Sequence, residues 1–579
     1  MAILVDGLDQ LRSENAAFFD EESPSIEAIQ EFKLTISNPS AEFGRTTGAV
    51  ESFATKSGTN VFHGSVFDIF RNEALDANNY FNNGRKSLCL ASATTSTAVA
   101  NCNNLYRRPS NKQNDYGVSL GGPVAIPHLY NGHDRSFFFF SWEQFRQSTG
   151  GPVTSTVPTE AMRNGNLSAL LTNSVITTNP CDGTPVYNGQ IFDPATTRTV
   201  NGVQCRMAFP GNIIPASRIT PISKNYLNYY PPPQANTTFN NYTINQPYPI
   251  TNTTYTVRID ENLTANTKLF GSWTARQNTS QKNPRTLPDP VDPNQWNQNF
   301  VTHLFRFGLT SSLNVHLLNQ FLAGYNRTNA KNFSVSAQDN INYAQQLGIN
   351  NINAVAFPVT TVGESIPVLN SGNNGDPMDN GLRFADTLSI EHGHHYFKIG
   401  GDYRYQQFNT FNGPVPRLTF ARGQTAGAAA TIATINSGNG FASLLLGLPN
   451  SASINTYSSQ PRWLSSYWAI FFQDDYKIRP DLTLNLGIRY DIDLPRKEAR
   501  NRTSNFSETA IDPISGKPGA LIFGTACNCN AKWIDAYYKD IAPRLGFAYA
   551  PSAANGKFVL RGSYSILYGP LFMPTLAIK

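Results

Sequence analysis

Apolar and polar residues alternate with a period of two along much of this chain. Between Leu482 and Ile492 the apolar set is Leu482, Leu484, Leu486, Ile488, Tyr490 and Ile492, with Thr483, Asn485, Gly487, Arg489 and Asp491 between them. Phe397, Ile399, Gly401, Tyr403 and Tyr405 alternate with Lys398, Gly400, Asp402 and Arg404. Tyr116, Val118, Leu120, Gly122 and Val124 repeat the pattern, as do Leu545, Phe547 and Tyr549, and Phe558, Leu560, Gly562, Tyr564, Ile566 and Tyr568. Side chains alternate across a strand, so this is the pattern of strands with one apolar and one polar face. It predicts about thirteen of them, over 62–72, 115–125, 136–147, 253–260, 266–277, 300–312, 317–329, 382–391, 395–410, 464–477, 481–493, 541–550 and 557–568.

The connections sharpen the picture. Long ones fill about 73–114, 148–252, 278–299, 330–381, 411–463 and 494–540. Short ones fall near 126–135, 261–265, 313–316, 392–394, 478–480 and 551–556. In an up-and-down antiparallel array every second connection emerges on the same side. Strict alternation therefore collects long loops at one end and tight turns at the other, the asymmetry of a transmembrane β-barrel. Such a strand needs about 9–11 residues to cross a bilayer. In lipid every backbone group must pair, so a spanning sheet must close. The apolar face then meets lipid, and Lys398, Asp402, Arg404, Arg489 and Asp491 line the interior. Trp142, Trp273, Trp463, Trp468 and Tyr490 suit an aromatic girdle.

Composition agrees. Of 579 residues only 15% are charged, against 12% aromatic, with 37 Phe and 25 Tyr. The aromatics exclude a disordered chain, and no apolar run of about 20 residues offers a membrane helix. Net charge is +5 with the signs interspersed, which excludes a nucleic-acid stripe. Residues 1–5 run directly into Asp6-Gly7 with no basic segment or apolar stretch of signal-peptide length.

Residues 1–60 differ from the rest. They carry an acidic cluster, Asp20-Glu21-Glu22, and a short helix predicted from Ser25 as N-cap with Ile26 and Ile29 on one face. A strand over 31–36 follows. The stretch Ser25-Ile-Glu-Ala-Ile-Gln-Glu-Phe-Lys33, Ala41-Glu-Phe-Gly-Arg45, Gly48-Ala-Val50, Thr55-Lys-Ser-Gly-Thr-Asn60, Phe62-His-Gly-Ser-Val-Phe-Asp-Ile-Phe-Arg71 and Leu75-Asp-Ala77 resembles the plug-to-barrel junction of TonB-dependent outer-membrane transporters, the Oar-like group in particular. Val5-Asp6-Gly7, Gln113-Asn-Asp-Tyr-Gly117, Gly121-Gly-Pro123, Phe137-Phe-Phe-Phe-Ser-Trp-Glu143, Phe192-Asp-Pro194 and Asn212-Ile-Ile-Pro215 are similar to further parts of that group.

The resemblance implies a mainly β fold: a small α+β plug remnant at 1–60 and, at 61–579, part of a 22-stranded barrel. Thirteen strands fall short of that barrel, so about nine further strands, half a plug, a signal peptide and a TonB box would lie outside this sequence; the odd count agrees, since such barrels are even-numbered. It implies active transport of a ligand across the bacterial outer membrane, with no enzyme activity and no cofactor. Partners would be outer-membrane lipid, an extracellular ligand, and the TonB–ExbB–ExbD complex acting through the TonB box. The alternative from another class is a surface adhesin or glycan-binding protein. It shares the aromatic strands and Asn/Thr loops but does not predict the N-terminal stretch.

Candidate chemistry is sparse. Glu391-His392-Gly393-His394-His395 is the one histidine cluster, and its position in a tight turn argues against a metal site. His63 and His128 stand alone. Asp474-Asp475 and Asp491/Asp493 read as residues facing a wet interior rather than an acid/base pair. No nucleophile elbow, HExxH or P-loop occurs. The cysteines fall as Cys89/Cys102, Cys181/Cys205 and Cys527/Cys529. The first two pairs are open to local disulfides or free thiols, and the third is too tight for an easy bridge.

Overall fold

The computed structural model describes residues 2–9, 25–36, 38–294, 296–427, 436–455, 460–524, 535–551 and 557–569. The acidic cluster at 20–22 and the Cys527/Cys529 pair lie outside the described residues.

The N-terminal residues form a four-stranded sheet in the order β2-β1-β4-β3, from β1 (Ala2–Val5), β2 (Leu8–Asp9), β3 (Ile29–Thr35) and β4 (Val50–Thr55). Parallel pairing of β1 with β4 buries Ala2, Leu4 and Val50 against Phe43. The predicted helix at Ser25 is corrected to a single 3-10 turn, Ile26–Ala28, and Ile29 already belongs to β3. Ser25 does not cap it; its hydroxyl instead donates to Glu143 at 2.6 Å.

Thirteen strands then run through one sheet. They are β5 (His63–Arg71), β6 (Ser110–Pro123), β7 (Ser136–Gly150), β8 (Tyr248–Asn262), β9 (Thr267–Lys282), β10 (Trp296–Asn314), β11 (Leu317–Ser334), β12 (Met378–His392), β13 (His395–Asn409), β14 (Arg462–Arg479), β15 (Leu482–Asp493), β16 (Asp540–Tyr549) and β17 (Leu560–Ser565). Each pairs antiparallel with its neighbours in sequence, an unbroken meander. Short strands at Asn374–Gly375 and Lys497–Glu498 add to β11 and β14.

Short and long connections alternate as the pattern requires. Residues 315–316, 393–394 and 480–481 are two-residue turns. At the middle one, Gly393 takes φ +60°, which a two-residue hairpin favours and a side chain resists. The opposite end carries 72–109, 151–247, 283–295, 335–377, 410–461 and 494–539.

Two features differ from expectation. The strands reach further toward the long-loop end than their apolar pattern does: β10 begins at Trp296 and β12 at Met378. The long connections are also not plain polar loops. Leu167, Ile191 and Tyr226 from 151–247, Leu287 from 283–295, Leu347 and Phe357 from 335–377, and Phe441 from 410–461 share one buried core. A small sheet of Val359–Thr361, Arg417–Thr419 and Ser451–Ser453 ties two of these segments together. They fold as one cap. In the first long connection Cys89 is bonded to Cys102, and within the cap Cys181 to Cys205.

Candidate functional site

The meander is inside-out relative to a water-soluble sheet. On β14, Trp468 is 51% exposed and Ile470 65%, whereas Tyr467, Ala469 and Phe471, which alternate with them, are buried. On β15, Leu486 and Ile488 are exposed while Arg489, between Ile488 and Tyr490, has 0% exposure. A soluble protein does not expose so large a contiguous apolar face. A charge is buried only when paired and hydrogen-bonded, and the buried face supplies those partners.

Further partners come from the N-terminal unit, chiefly from the segment 39–45 between β3 and β4, which sits on the charged face. Arg489 donates through Nη1 to the carbonyls of Ala41 and Glu42, both at 3.1 Å. Its Nε bonds Asp491 at 2.8 Å, and Nη2 donates to the Tyr467 hydroxyl at 2.8 Å. Arg544 on β16 holds the same segment by the carbonyls of Pro39 at 2.7 Å and Phe43 at 2.6 Å, and also by that of Ser40. The Gln473 side-chain oxygen accepts from the Ala41 amide at 2.8 Å. Arg45 pairs with Asp493 at 2.9 Å, and Lys398 with Glu42 at 3.2 Å. The run Ala41-Glu-Phe-Gly-Arg45 is thus gripped residue by residue. Gly487 opposite has little room for a side chain, because a β-carbon there would lie 3.2 Å from that of Ala41.

A second grip holds the end of β2. Asp9 is paired with Arg404 at 2.5 Å and with Arg383 at 3.5 Å. Both arginines also bind Asp402 at 2.9 Å. Arg306 and Asn326 donate to the Asp9 carbonyl. Burial opposes ionisation of Asp9, but Arg404 and then Arg383 outweigh it and hold the carboxyl below its ordinary range. On the next face, Arg258 reaches Asp6 at 3.1 Å and Thr55 at 2.9 Å. Between the two units a cavity of about 540 Å³ remains, lined by Asp6, Lys33, Glu42, Arg258, Arg383 and Lys398 among others.

Lys398, Asp402, Arg404, Arg489 and Asp491 therefore lie together on one face, in contact with the N-terminal unit or one residue removed from it. Arg258, Arg306, Arg383, Gln473 and Arg544 belong with them; their alternation with Phe305, Phe307, Phe472 and Leu545 was the available signal. Asp474 and Asp475 do not share a face, because neighbours in a strand cannot. Asp475 accepts from Gln473 and Asn485 on the charged side, and Asp474 contacts His395 at 2.8 Å on the apolar side. Trp142, Trp273, Trp468 and Tyr490 stand on the apolar face. Trp463 shares the parity of buried Tyr467 and so lies on the opposite one, paired across the ladder with buried Phe408. His63 lies 3.0 Å from the Val61 carbonyl, and His128 occupies a turn at φ +63°. Among the described residues no group of three or more His, Cys, Asp or Glu side chains is arranged to hold a metal ion, and no helix is long and apolar enough to cross a membrane.

The TonB-dependent transporter Oar of Myxococcus xanthus is 33% identical over 124 residues, which are 21% of this chain and 10% of that protein. Among solved structures, the outer membrane transporter YddB of Escherichia coli has a TM-score of 0.48 at 11% identity, over 95% of this chain and 53% of that one. The siderophore receptor PirA of Acinetobacter baumannii has a TM-score of 0.43 at 11% identity, over 98% and 67%. The chain thus spans about half the length of YddB and matches a tenth of Oar. A family model described as an outer membrane beta barrel domain matches residues 54–577. With that match running over nearly the whole meander, the chain belongs to the outer membrane β-barrel domain family, and its exposed apolar face is the surface it presents to lipid.

Proposed function

We propose that this chain is the gated part of a TonB-dependent transporter: residues 1–60 form a plug, and residues 61–579 form part of a closed barrel of the 22-stranded type that surrounds it. The observation that carries the reading is how the N-terminal unit is held. Its own apolar core is small, centred on Ala2, Leu4 and Val50. Its contacts with the wall are dominated by guanidinium-to-carbonyl bonds and ion pairs. Polar contacts of this kind exchange for water when they part, so the unit can shift without exposing a hydrophobic interior to the lumen. The resemblance to the Oar-like group supplies the drive, a pull by the TonB–ExbB–ExbD complex on a TonB box. The cap folded from the long connections then stands on the side from which the ligand arrives.

An adhesin or glycan-binding role draws support from the folded cap, but it gives no reason for an N-terminal unit locked onto a buried charged face. Planar-bilayer conductance of the full-length protein separates the two readings. The plug reading expects a silent wild-type protein and stepwise conductance from a variant lacking residues 2–55. Equal conductance of the two would overturn it.

A further inference from the structure

Asp9 is held by more cations than one carboxylate uses. Arg306, Gly324, Arg383 and Arg404 follow one another along a single ladder row of the inward face, from β10 to β13. Leu8 enters the notch at Gly324, where a β-carbon would lie 2.6 Å from its Cδ1 and 3.3 Å from Nη1 of Arg306. That seat sets Asp9 among the arginines. Arg404 donates to one carboxylate oxygen at 2.5 Å, and Arg383 reaches the other at 3.5 Å. Arg306 and Asn326 take the main-chain carbonyl at 3.3 and 2.9 Å.

The wall does not neutralise this row by itself. Asp402 accepts from both Arg383 and Arg404, and Arg489 lies 3.7 Å from the same carboxylate. Arg306 is buried, its remaining bonds go to Asn326 and the Phe305 carbonyl, and its Nε meets no acceptor. A buried cation without a carboxylate is costly, and the Asp9 carboxylate is what the N-terminal unit brings to the row.

The cluster also divides two cavities. Arg383 and Asp402 line the cavity of about 540 Å³, which extends toward the short turns past Thr387 and Lys398. Arg306, Arg383 and Arg404 line a second one of about 20 Å³, which extends toward the long loops past Asp379 and Gln406. The second has room for about one water. Arg383 faces both, so the Asp9 contact is the partition between them.

Resting on the plug reading, we propose that Arg306, Arg383 and Arg404 form a carboxylate-binding site of the lumen wall, which Asp9 fills in the docked state and a carboxylate of the passing ligand fills when the N-terminal unit shifts. Guanidinium groups present planar, paired donors that match a carboxylate. One carboxylate replaces another, so the row is never left short of an anion while it is enclosed.

The test uses the full-length protein in detergent, with acetate as probe and acetamide as its neutral counterpart, read by saturation-transfer NMR. Asp9→Ala vacates the site and should bind acetate but not acetamide. The wild type and Asp9→Asn should bind neither there, because a tethered side chain competes at an effective concentration in the millimolar range or above. Arg404→Gln in the Asp9→Ala background should weaken acetate binding about a hundredfold. In the wild type, glutarate should speed tryptic cleavage at Lys33, Arg45 and Lys56 beyond sodium chloride of equal ionic strength, because it competes with Asp9. Equal binding of acetate and acetamide, acetate binding that survives Arg404→Gln, or cleavage indifferent to glutarate would each overturn the proposal. Heat-modifiable migration checks the fold of every variant, and Asp9→Ser with formate repeats the comparison where Asp9→Ala does not fold. Neither readout involves conductance, so loss of the site and loss of the plug reading are told apart.

Discussion

Gly44 lies so close beneath the Arg489 guanidinium that a β-carbon on Gly44 would occupy the space of the Arg489 side-chain nitrogens. The backbone of one unit and a fully buried cation of the other are thus fitted to each other, and neither can change alone. Gly44→Ala should displace Arg489 from the Ala41 and Glu42 carbonyls and weaken the docking of the N-terminal unit by about 1–3 kcal/mol, as overpacking does. Arg489→Ala should cost more, about 3–5 kcal/mol, because Asp491 and Tyr467 would stay buried without their cation. Tryptic cleavage at Lys33, Arg45 and Lys56 in folded protein reports the docking. Both variants should be cut faster than wild type, with Arg489→Ala the faster of the two.

The Asp9 pairing makes a prediction about pH. Its carboxyl is held below the ordinary range in the docked state, so it releases its proton more readily there than in the free segment. A depressed folded value means stability that is complete above the free carboxyl's value of about 3.9 and is lost as pH falls through the docked value. Cleavage of the N-terminal unit should therefore be flat between pH 5 and pH 8, as set by Asp9 against Arg404, Arg383 and neighbouring Asp402. Asp9→Asn should raise cleavage throughout that range. An undocking midpoint near pH 6 would assign the contact to some other group.

The strands and their alternating connections were legible because period-two patterning is local, and each strand must show lipid on one face and its partner on the other. All thirteen segments recur in the meander, and the face carrying Lys398, Asp402, Arg404, Arg489 and Asp491 follows from parity alone. The strand ends were not legible. Beyond the aromatic row of Trp273, Phe305 and Tyr325 the outward face is wetted, so Gln277, His303, Asn329 and Asn380 replace apolar residues although the backbone ladder continues. Trp463 stands near the long-loop end of its strand, but it shares the parity of buried Tyr467 and so faces inward, away from the aromatic row. The cap was hidden because its core assembles from residues as far apart as Leu167 and Phe441, each in a short apolar run flanked by polar residues. No periodicity links such residues.

Within the cap, Asn212 does what no apolar residue could. It is 2% exposed and takes φ +62°. Its side-chain oxygen accepts from the Ile191 amide at 2.8 Å, and its amide donates to the Leu167 and Gly189 carbonyls at 3.1 and 3.0 Å. Asn212→Ala removes all three bonds and places a β-carbon in the left-handed region. The local cost should be about 3–5 kcal/mol, from groups left buried and unpaired together with backbone strain. Because the cap is a separate core, the damage should stay there. Proteinase K should nick the 151–247 segment of the variant, while the heat-modifiable migration of the strand array stays that of the wild type.

The Cys181–Cys205 bond closes a loop of sequence separation 24 at the edge of the same cap. A cross-link of that span removes about 3 kcal/mol of chain entropy from the opened state. Cys205 is fully buried beside a segment whose neighbour Arg206 donates to the carbonyls of Gln424 and Ala426, so opening the loop should loosen the seam between 151–247 and 410–461. Cys181→Ser with Cys205→Ser should lower the temperature at which thermolysin first cuts the cap, and dithiothreitol should do the same to the wild type but not to the double variant. Cleavage of the N-terminal unit should not respond, since its contacts run to the strands and none reaches this loop among the described residues. If reduction loosened the N-terminal unit and the cap together, the cap would not be an independent folding unit, and the separation of the two readouts used for Asn212 would fail with it.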